Sequence, residues 1–275
     1  MARTTRQHKR ETTVDQAARW NGPGGQGWID SQEVLEELFR PLEEVLVVDL
    51  PPGDVLDVGC GTGSTTAAIA RRPGTRAVGI DVSALMVAAA RERGVEAIEA
   101  DAQTYGFEPA GFDTIVSRFG VMFFADPVRA FGNLRRAVRA GGGARLIVWR
   151  EPADNPFMTT AERAARPLLP ELPERVPDAP GQFGLADPER TGKILAKSGW
   201  SDVELAPLDV GLSMPVSELT GYFTRLGPVS RLLPSVPGPR RATIVQTVRA
   251  AFDPYVLGSE VRFTAACWLI TARAG

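Results

Sequence analysis

The chain has 275 residues, 44% of them hydrophobic, so it can bury one elaborated α/β domain or a domain with a separate lid; the single domain is expected. Its 31 basic and 33 acidic side chains nearly balance, so no global field draws in a polyanion and nucleic acid is not an expected partner. No run of about 18 apolar residues exists to span a bilayer, and no apolar signal-peptide segment follows Met1, so a cytoplasmic protein without membrane insertion is expected.

Two cysteines, Cys60 and Cys267, make no disulfide framework and fit a reducing compartment. The single histidine, His8, lies in the N-terminal segment. That removes Ser-His-Asp triads, histidine bases and common zinc sites unless this segment folds back.

Residues 1–14 carry Arg3, Arg6, Lys9 and Arg10 in a Thr/Gln-rich stretch without apolar periodicity, which reads as a disordered tail. Residues 15–275 are then one domain. From Ser31 to Asp49, Glu alternates with Val, Leu and Phe at three- and four-residue intervals, predicting an amphipathic helix that Pro41 kinks or splits. Between Val55 and Arg150, short β-branched runs alternate with helical patterns, the form of βαβ units on a parallel sheet. Strands are predicted at Val55 to Val58, Arg76 to Ile80, Val95 to Ala100, Phe112 to Ser117 and Ala144 to Trp149. Helices are predicted from Gly63 to Arg71, Ser83 to Arg93 and Pro127 to Ala140, with Ser83 as N-cap and Gly94 and Gly141 as stops.

Beyond Trp149, seven prolines from Pro152 to Pro180 punctuate a segment that should hold no long regular element. A helix near Asp187 to Ser198, a strand near Asp202 to Leu208, a helical insertion over Pro215 to Phe252 and a last strand from Val261 to Thr271 follow. Residues 151–200 and 211–258 are expected to contribute a substrate cap.

The most informative string is Val55-Leu56-Asp57-Val58-Gly59-Cys60-Gly61-Thr62-Gly63, a buried strand breaking into a glycine loop that opens a helix. Such a loop lets a ligand approach the backbone, and the helix start offers unpaired N–H groups. A dinucleotide fingerprint needs a third glycine where Ser64 stands, and Asp57 two residues before the first glycine would repel a pyrophosphate. A carboxylate there favours a cationic ligand instead; S-adenosylmethionine carries an ammonium and a sulfonium. Asp81 ends the second strand where an acid can accept from ribose hydroxyls. Asp101 ends the third, where it can accept from an adenine amino group while the Ala102 N–H donates to the ring.

VLDVGCGTG, VGIDVS, EADAQ, FDTIVSRFGVMFFADP and LRRAVRAGGGARLIVW together resemble, in order and spacing, the successive motifs of class I S-adenosylmethionine-dependent methyltransferases of the UbiE-like group. The resemblance covers about residues 15–210. The segment Trp20-Asn21-Gly22-Pro23-Gly24-Gly25-Gln26-Gly27-Trp28 is also similar to the glycine-rich, aromatic leading segment of small-molecule members. The resemblance implies a Rossmann-like α/β fold: seven strands, mostly parallel, helices on both faces, the last strand inserted antiparallel beside the sixth, and a helical cap. It places Asp57, Gly59, Gly61 and Gly63 around the methionine part of the cofactor and Asp81 at the ribose. Val82 and Met86 fall on the adenine face, Asp101 with Ala102 on its edge. Ser117 and Arg118 border the cofactor. Cys60 is a loop position near the cofactor, read as packing rather than as a nucleophile.

Methyl transfer from a sulfonium is an in-line displacement, so alignment and water exclusion suffice without a covalent residue. Phe119, Phe123, Phe157, Phe183 and Tyr222, with Met122, Phe124, Met158 and Phe223 nearby, suggest a partly apolar or aromatic acceptor pocket. Trp20 and Trp28 either close over it or pin the first helix. Asp126, Tyr222, Glu151 and Asp154 are bases by position only. Ser117-Arg118-Phe119 replaces the clustered carboxylates that metal-assisted methylation needs, so no metal is expected. The implied activity is methylation of a small molecule by a monomer or homodimer. The alternatives are a protein of this fold that binds S-adenosylmethionine without methyl transfer, such as a pericyclase or binding module, and a nicotinamide dehydrogenase, against which Asp57 argues.

Overall fold

The computed structural model describes residues 16–275; the predicted tail and His8 lie outside them. The sheet is built from β1 (Gly53–Val58), β2 (Thr75–Asp81), β3 (Glu96–Glu99), β4 (Phe112–Arg118), β5 (Val138–Trp149), β6 (Trp200–Pro215), β7 (Val256–Leu257) and β8 (Glu260–Ala274). Its order is β3-β2-β1-β4-β5-β8-β6, seven strands in one path, with the two-residue β7 pairing onto β8. Strands β3 to β5 run parallel through β1, whereas β8 is antiparallel to both β5 and β6. The fold is therefore the Rossmann-like one the motifs imply. Chain order reverses at β1, between β2 and β4, and the crevice outside the carboxyl ends of these strands is where such sheets take ligands.

Helices flank the sheet: α1 (Pro23–Ile29), α2 (Gln32–Val47), α3 (Ser64–Ala70), α4 (Ala84–Glu92), α5 (Pro127–Ala137), α6 (Pro156–Ala165), α7 (Pro188–Lys197), α8 (Leu219–Arg225), α9 (Gly227–Leu232) and α10 (Gly238–Ala251). Among the described residues none is long and apolar enough to cross a membrane.

Three elements differ from expectation. Pro41 lies inside α2 without splitting it. A helix-interior proline costs about 3 kcal/mol, but Leu38, Phe39, Leu42 and Leu46 are all buried on this helix, and each is worth about 1.5–3 kcal/mol. Helix α5 stops at Ala137, one turn early, because Val138 already pairs with Phe112 at the start of β5. Strands β6 and β8 extend to Pro215 and back to Glu260, pairing Leu212 with Phe263 and Met214 with Val261; Leu212 and Met214 are buried while Gly211 and Ser213 are exposed, a two-residue alternation.

The proline-rich segment after β5 does contain one regular element, α6. It is anchored by the buried Asn155, whose side-chain amide donates to the Ala266 carbonyl (2.9 Å) and accepts from the Ala266 N–H (3.0 Å), as a strand neighbour would. Phe157 on α6 then stacks on Phe263 of β8 and meets Phe252 and Tyr255, which seats the segment 219–255 over the sheet end.

Candidate active site

The loop from β1 to α3 is bent by three glycines in the left-handed region, Gly59 (φ +70°), Gly61 (+54°) and Gly63 (+82°). The Gly59 and Cys60 N–H groups both donate to the Ile80 carbonyl at the end of β2 (2.8 and 3.2 Å), which holds the loop against the sheet. A Cβ on Gly61 would meet no protein atom within 4 Å, so space for a ligand lies directly on this backbone. The Cys60 side chain faces the other way in part: a Cβ on Gly79 would stand 2.6 Å from its Sγ. Burial pushes the Cys60 thiol far up, so it stays protonated and serves packing.

Carboxylates from three strand ends surround this loop. Asp81 Oδ2 accepts from the Gly61 N–H and Oδ1 from the Ser83 N–H, both at 2.9 Å. Burial raises its pKa against these bonds. Asp101 Oδ1 accepts from the Gln103 N–H at 2.9 Å, whereas its buried Oδ2 has no hydrogen-bond partner among the described residues. Asp57 is only 1% exposed and accepts from Thr66 Oγ1 at 2.7 Å; burial pushes its pKa up to about 6.

Helix α2 supplies acids that the motif reading missed. Glu43 accepts from Ser64 Oγ (2.5 Å) and Thr65 Oγ1 (3.3 Å) in the first turn of α3. Glu36 pairs with Arg93, which also donates to the Thr62 carbonyl. Their seven-residue spacing puts both on one helix face. Arg118 answers this negative cluster. Its guanidinium stands 3.9 Å from Glu43 and donates to the Phe39 carbonyl at 3.2 Å, and burial lowers its pKa.

Asp81, Asp101, Glu36 and Arg118 line one crevice of about 310 Å³. Its polar end is lined by Gly59, Cys60, Gly61, Asp81, Val82, Met86, Asp101 and Ala102; its other end by Phe119, Trp149, Phe157, Met158, Tyr222, Phe223 and Phe252. Phe119 is stacked on Trp149 at 4.6 Å. Trp20 and Trp28 both line it as well. Trp20 lies edge-on to Phe123 (5.3 Å) while its carbonyl accepts from Ser83 Oγ (2.7 Å), so the N-terminal strap crosses from the β2–α4 loop to the segment after β4. Close passage explains its glycines. A Cβ on Gly25 would fall 1.9 Å from the Trp20 carbonyl oxygen, and one on Gly27 2.3 Å from that of Arg225.

Four predicted residues stand behind or beside the crevice rather than on it. Asp57 and Gly63 back the loop. Ser117 is fully buried, donating to the Val58 carbonyl (2.7 Å) and accepting from the Gly120 and Val121 N–H groups, so it shapes the turn after β4. Phe183 lies under the Arg175 guanidinium at 4.8 Å. Of the positional bases, Asp126 caps α5 and Asp154 pairs with Arg150, and neither they nor Glu151 line the crevice. Tyr222 does, but burial drives its phenol well above the usual range. Glu162, which spacing alone could not single out, lines the crevice in a two-bond pair with Arg175 (2.5 and 3.0 Å). No group of three or more His, Cys, Asp and Glu able to hold a metal occurs among the described residues.

A family model described as a methyltransferase domain matches residues 55–142. The chain is 28% identical over 192 residues to the demethylmenaquinone methyltransferase of Mycobacterium sp. (strain KMS), a match covering 64% of this chain and 80% of that protein. It is 37% identical over 114 residues to the same-named enzyme of Thermus thermophilus, covering 39% and 51%. The YcgJ protein of Bacillus subtilis shares the fold at 18% identity and a TM-score of 0.53, over 85% of this chain and 96% of that one. A structure described for conversion of a disulfide bond into a thioacetal group in echinomycin biosynthesis does so at 21% identity and 0.54, over 85% and 80%.

The glycine loop, the acids at three successive strand ends and these matches agree on one class: the chain carries a methyltransferase domain over residues 55–142 and is similar to the class I S-adenosylmethionine-dependent methyltransferases. Both curated relatives described above are named demethylmenaquinone methyltransferases.

Proposed function

We propose that this chain methylates a small, flat, partly aromatic molecule of quinone-like or phenolic type, held in the aromatic end of the crevice while S-adenosylmethionine occupies the polar end. The observation that carries this reading is the division of one continuous crevice into a carboxylate-rich half on the glycine loop and an aromatic half under 156–165 and 219–252. Relatives named for a quinone substrate support it.

The residues fit the cofactor. Gly61 leaves open space on its backbone, Asp81 offers remaining lone pairs at the ribose position, and the orphaned Asp101 Oδ2 awaits a donor such as the adenine amino group. Met86 and Val82 would flank the ring. Glu36, Asp57 and Asp81 set a negative field at the loop that suits the ammonium and sulfonium, with Arg118 placed to meet a carboxylate. Bound S-adenosylmethionine supplies a methyl group on a positively charged sulfur. The chain contributes alignment, a negative field and a crevice closed by the Trp20 strap.

Residues 15–275 act in this reading as one domain, monomeric or homodimeric in the cytoplasm, with 151–200 and 211–258 as the cap. The deciding experiment is incubation with methyl-labelled cofactor and a panel of naphthols, naphthoquinols and amines. Label transfer to the flat oxygen-bearing members supports the reading. Cofactor binding with no transfer across the panel favours a binding protein or pericyclase instead, a reading kept in play because no histidine lines the crevice among the described residues.

A further inference from the structure

Among the polar groups that the cap segments bring to the crevice, one is poorly satisfied. Glu162 is taken up by Arg175. The hydroxyl of Tyr222, in contrast, has a single hydrogen-bond partner among the described residues, the Met158 sulfur at 3.6 Å. A thioether is a weak acceptor, and a phenolic O–H in an apolar setting gains more from an oxygen. Tyr222 and Met158 both line the crevice, and the Tyr222 ring is set by Phe157 at 5.7 Å, itself stacked on Phe263 of the sheet. The phenol is thus on a rigid base, with an exchangeable partner, facing the space where a flat ligand would lie.

We propose that Tyr222 is a specificity residue for the acceptor, donating its hydroxyl proton in a hydrogen bond to an acceptor carbonyl or hydroxyl oxygen in place of Met158. The assignment rests on the acceptor chamber proposed above. It makes Tyr222 a donor that orients an oxygen-bearing aromatic ligand rather than a base. The raised phenol pKa agrees with this, since the group keeps its proton.

The test uses the full chain saturated with S-adenosylhomocysteine and two probes of nearly equal shape, 2-acetonaphthone and 2-isopropenylnaphthalene, which differ in a carbonyl oxygen against a methylene. The wild type should bind the ketone about fivefold to tenfold more tightly, the worth of one neutral hydrogen bond. Tyr222→Phe should bring the two within about twofold while leaving the alkene affinity unchanged. A preference that survives in Tyr222→Phe, or is absent from the wild type while both probes bind, overturns the assignment and leaves the chamber standing. Failure of both probes to bind overturns the chamber as well. Should Tyr222→Phe not fold, Met158→Leu decides: freeing the phenol from sulfur should raise the ketone preference above wild type, and a preference at or below it contradicts the proposal.

Discussion

Gly59 and Gly120 face each other across the turn that joins β1 to the segment after β4. A Cβ on Gly59 would stand 2.5 Å from the Gly120 Cα, and one on Gly120 2.5 Å from the Val58 carbonyl oxygen. Both obstacles are backbone and cannot swing aside. Gly120→Ala should therefore cost about 1–3 kcal/mol or more of overpacking strain. Urea unfolding checks this, and a midpoint equal to wild type would show that the turn yields.

Gly61→Ala should behave differently. Its φ of +54° taxes any side chain, at about 1–2 kcal/mol, but no protein atom lies within 4 Å of the added methyl. The methyl instead occupies ligand space. Stability should fall modestly while affinity for S-adenosylhomocysteine drops by about tenfold or more, as loss of close backbone approach predicts. Calorimetry on the folded variant separates the two effects; unimpaired affinity would place the ligand elsewhere.

Asp57 should make stability depend on pH in a set direction. Its pKa is about 6 in the folded protein against 3.8 for the ordinary group, so the folded state holds this proton more tightly than the unfolded chain does. The resulting stabilisation is full below about pH 4 and is lost as pH rises through about 6, at most about 3 kcal/mol. Asp57→Asn, which can keep the Thr66 bond, should match the wild type near pH 4 and gain on it up to pH 7.5. Parallel stability curves for the two proteins would refute the assignment.

Asp101 Oδ2 is buried without a partner. If it accepts from the adenine amino group, the wild type should bind S-adenosylhomocysteine well above S-inosylhomocysteine, which has a carbonyl there, and Asp101→Ala should shrink the ratio by about tenfold. Competition binding with both compounds reads this directly, and an unchanged ratio would remove Asp101 from the adenine edge.

The cofactor half of the crevice was legible because its chemistry is local. Glycines at strand ends, and Asp81 and Asp101 one βα unit apart, sit within a few residues of the backbone turns that aim them. Asp57 shows the limit of that reading: the string gives its place beside the loop, but the pleat of β1 turns its carboxylate toward Thr66 on α3, behind the crevice. Glu36, Glu43 and Glu162 were hidden among ordinary solvated-looking helix charges, and only tertiary packing brings them to Arg93, Ser64 and Arg175. Phe183, an aromatic in the right stretch, went to Arg175 instead of the crevice. The extra length of β6 and β8 was written in the alternation of Leu212 and Met214, which glycine and proline neighbours obscured.

The central claim is that acids around a glycine turn select a sulfonium nucleoside over a pyrophosphate cofactor. Isothermal titration of the full chain with S-adenosylmethionine and, separately, with NAD tests it most directly. One equivalent of S-adenosylmethionine should bind and NAD should give no measurable heat. Saturable NAD binding, or no heat with S-adenosylmethionine and S-adenosylhomocysteine alike, would contradict it.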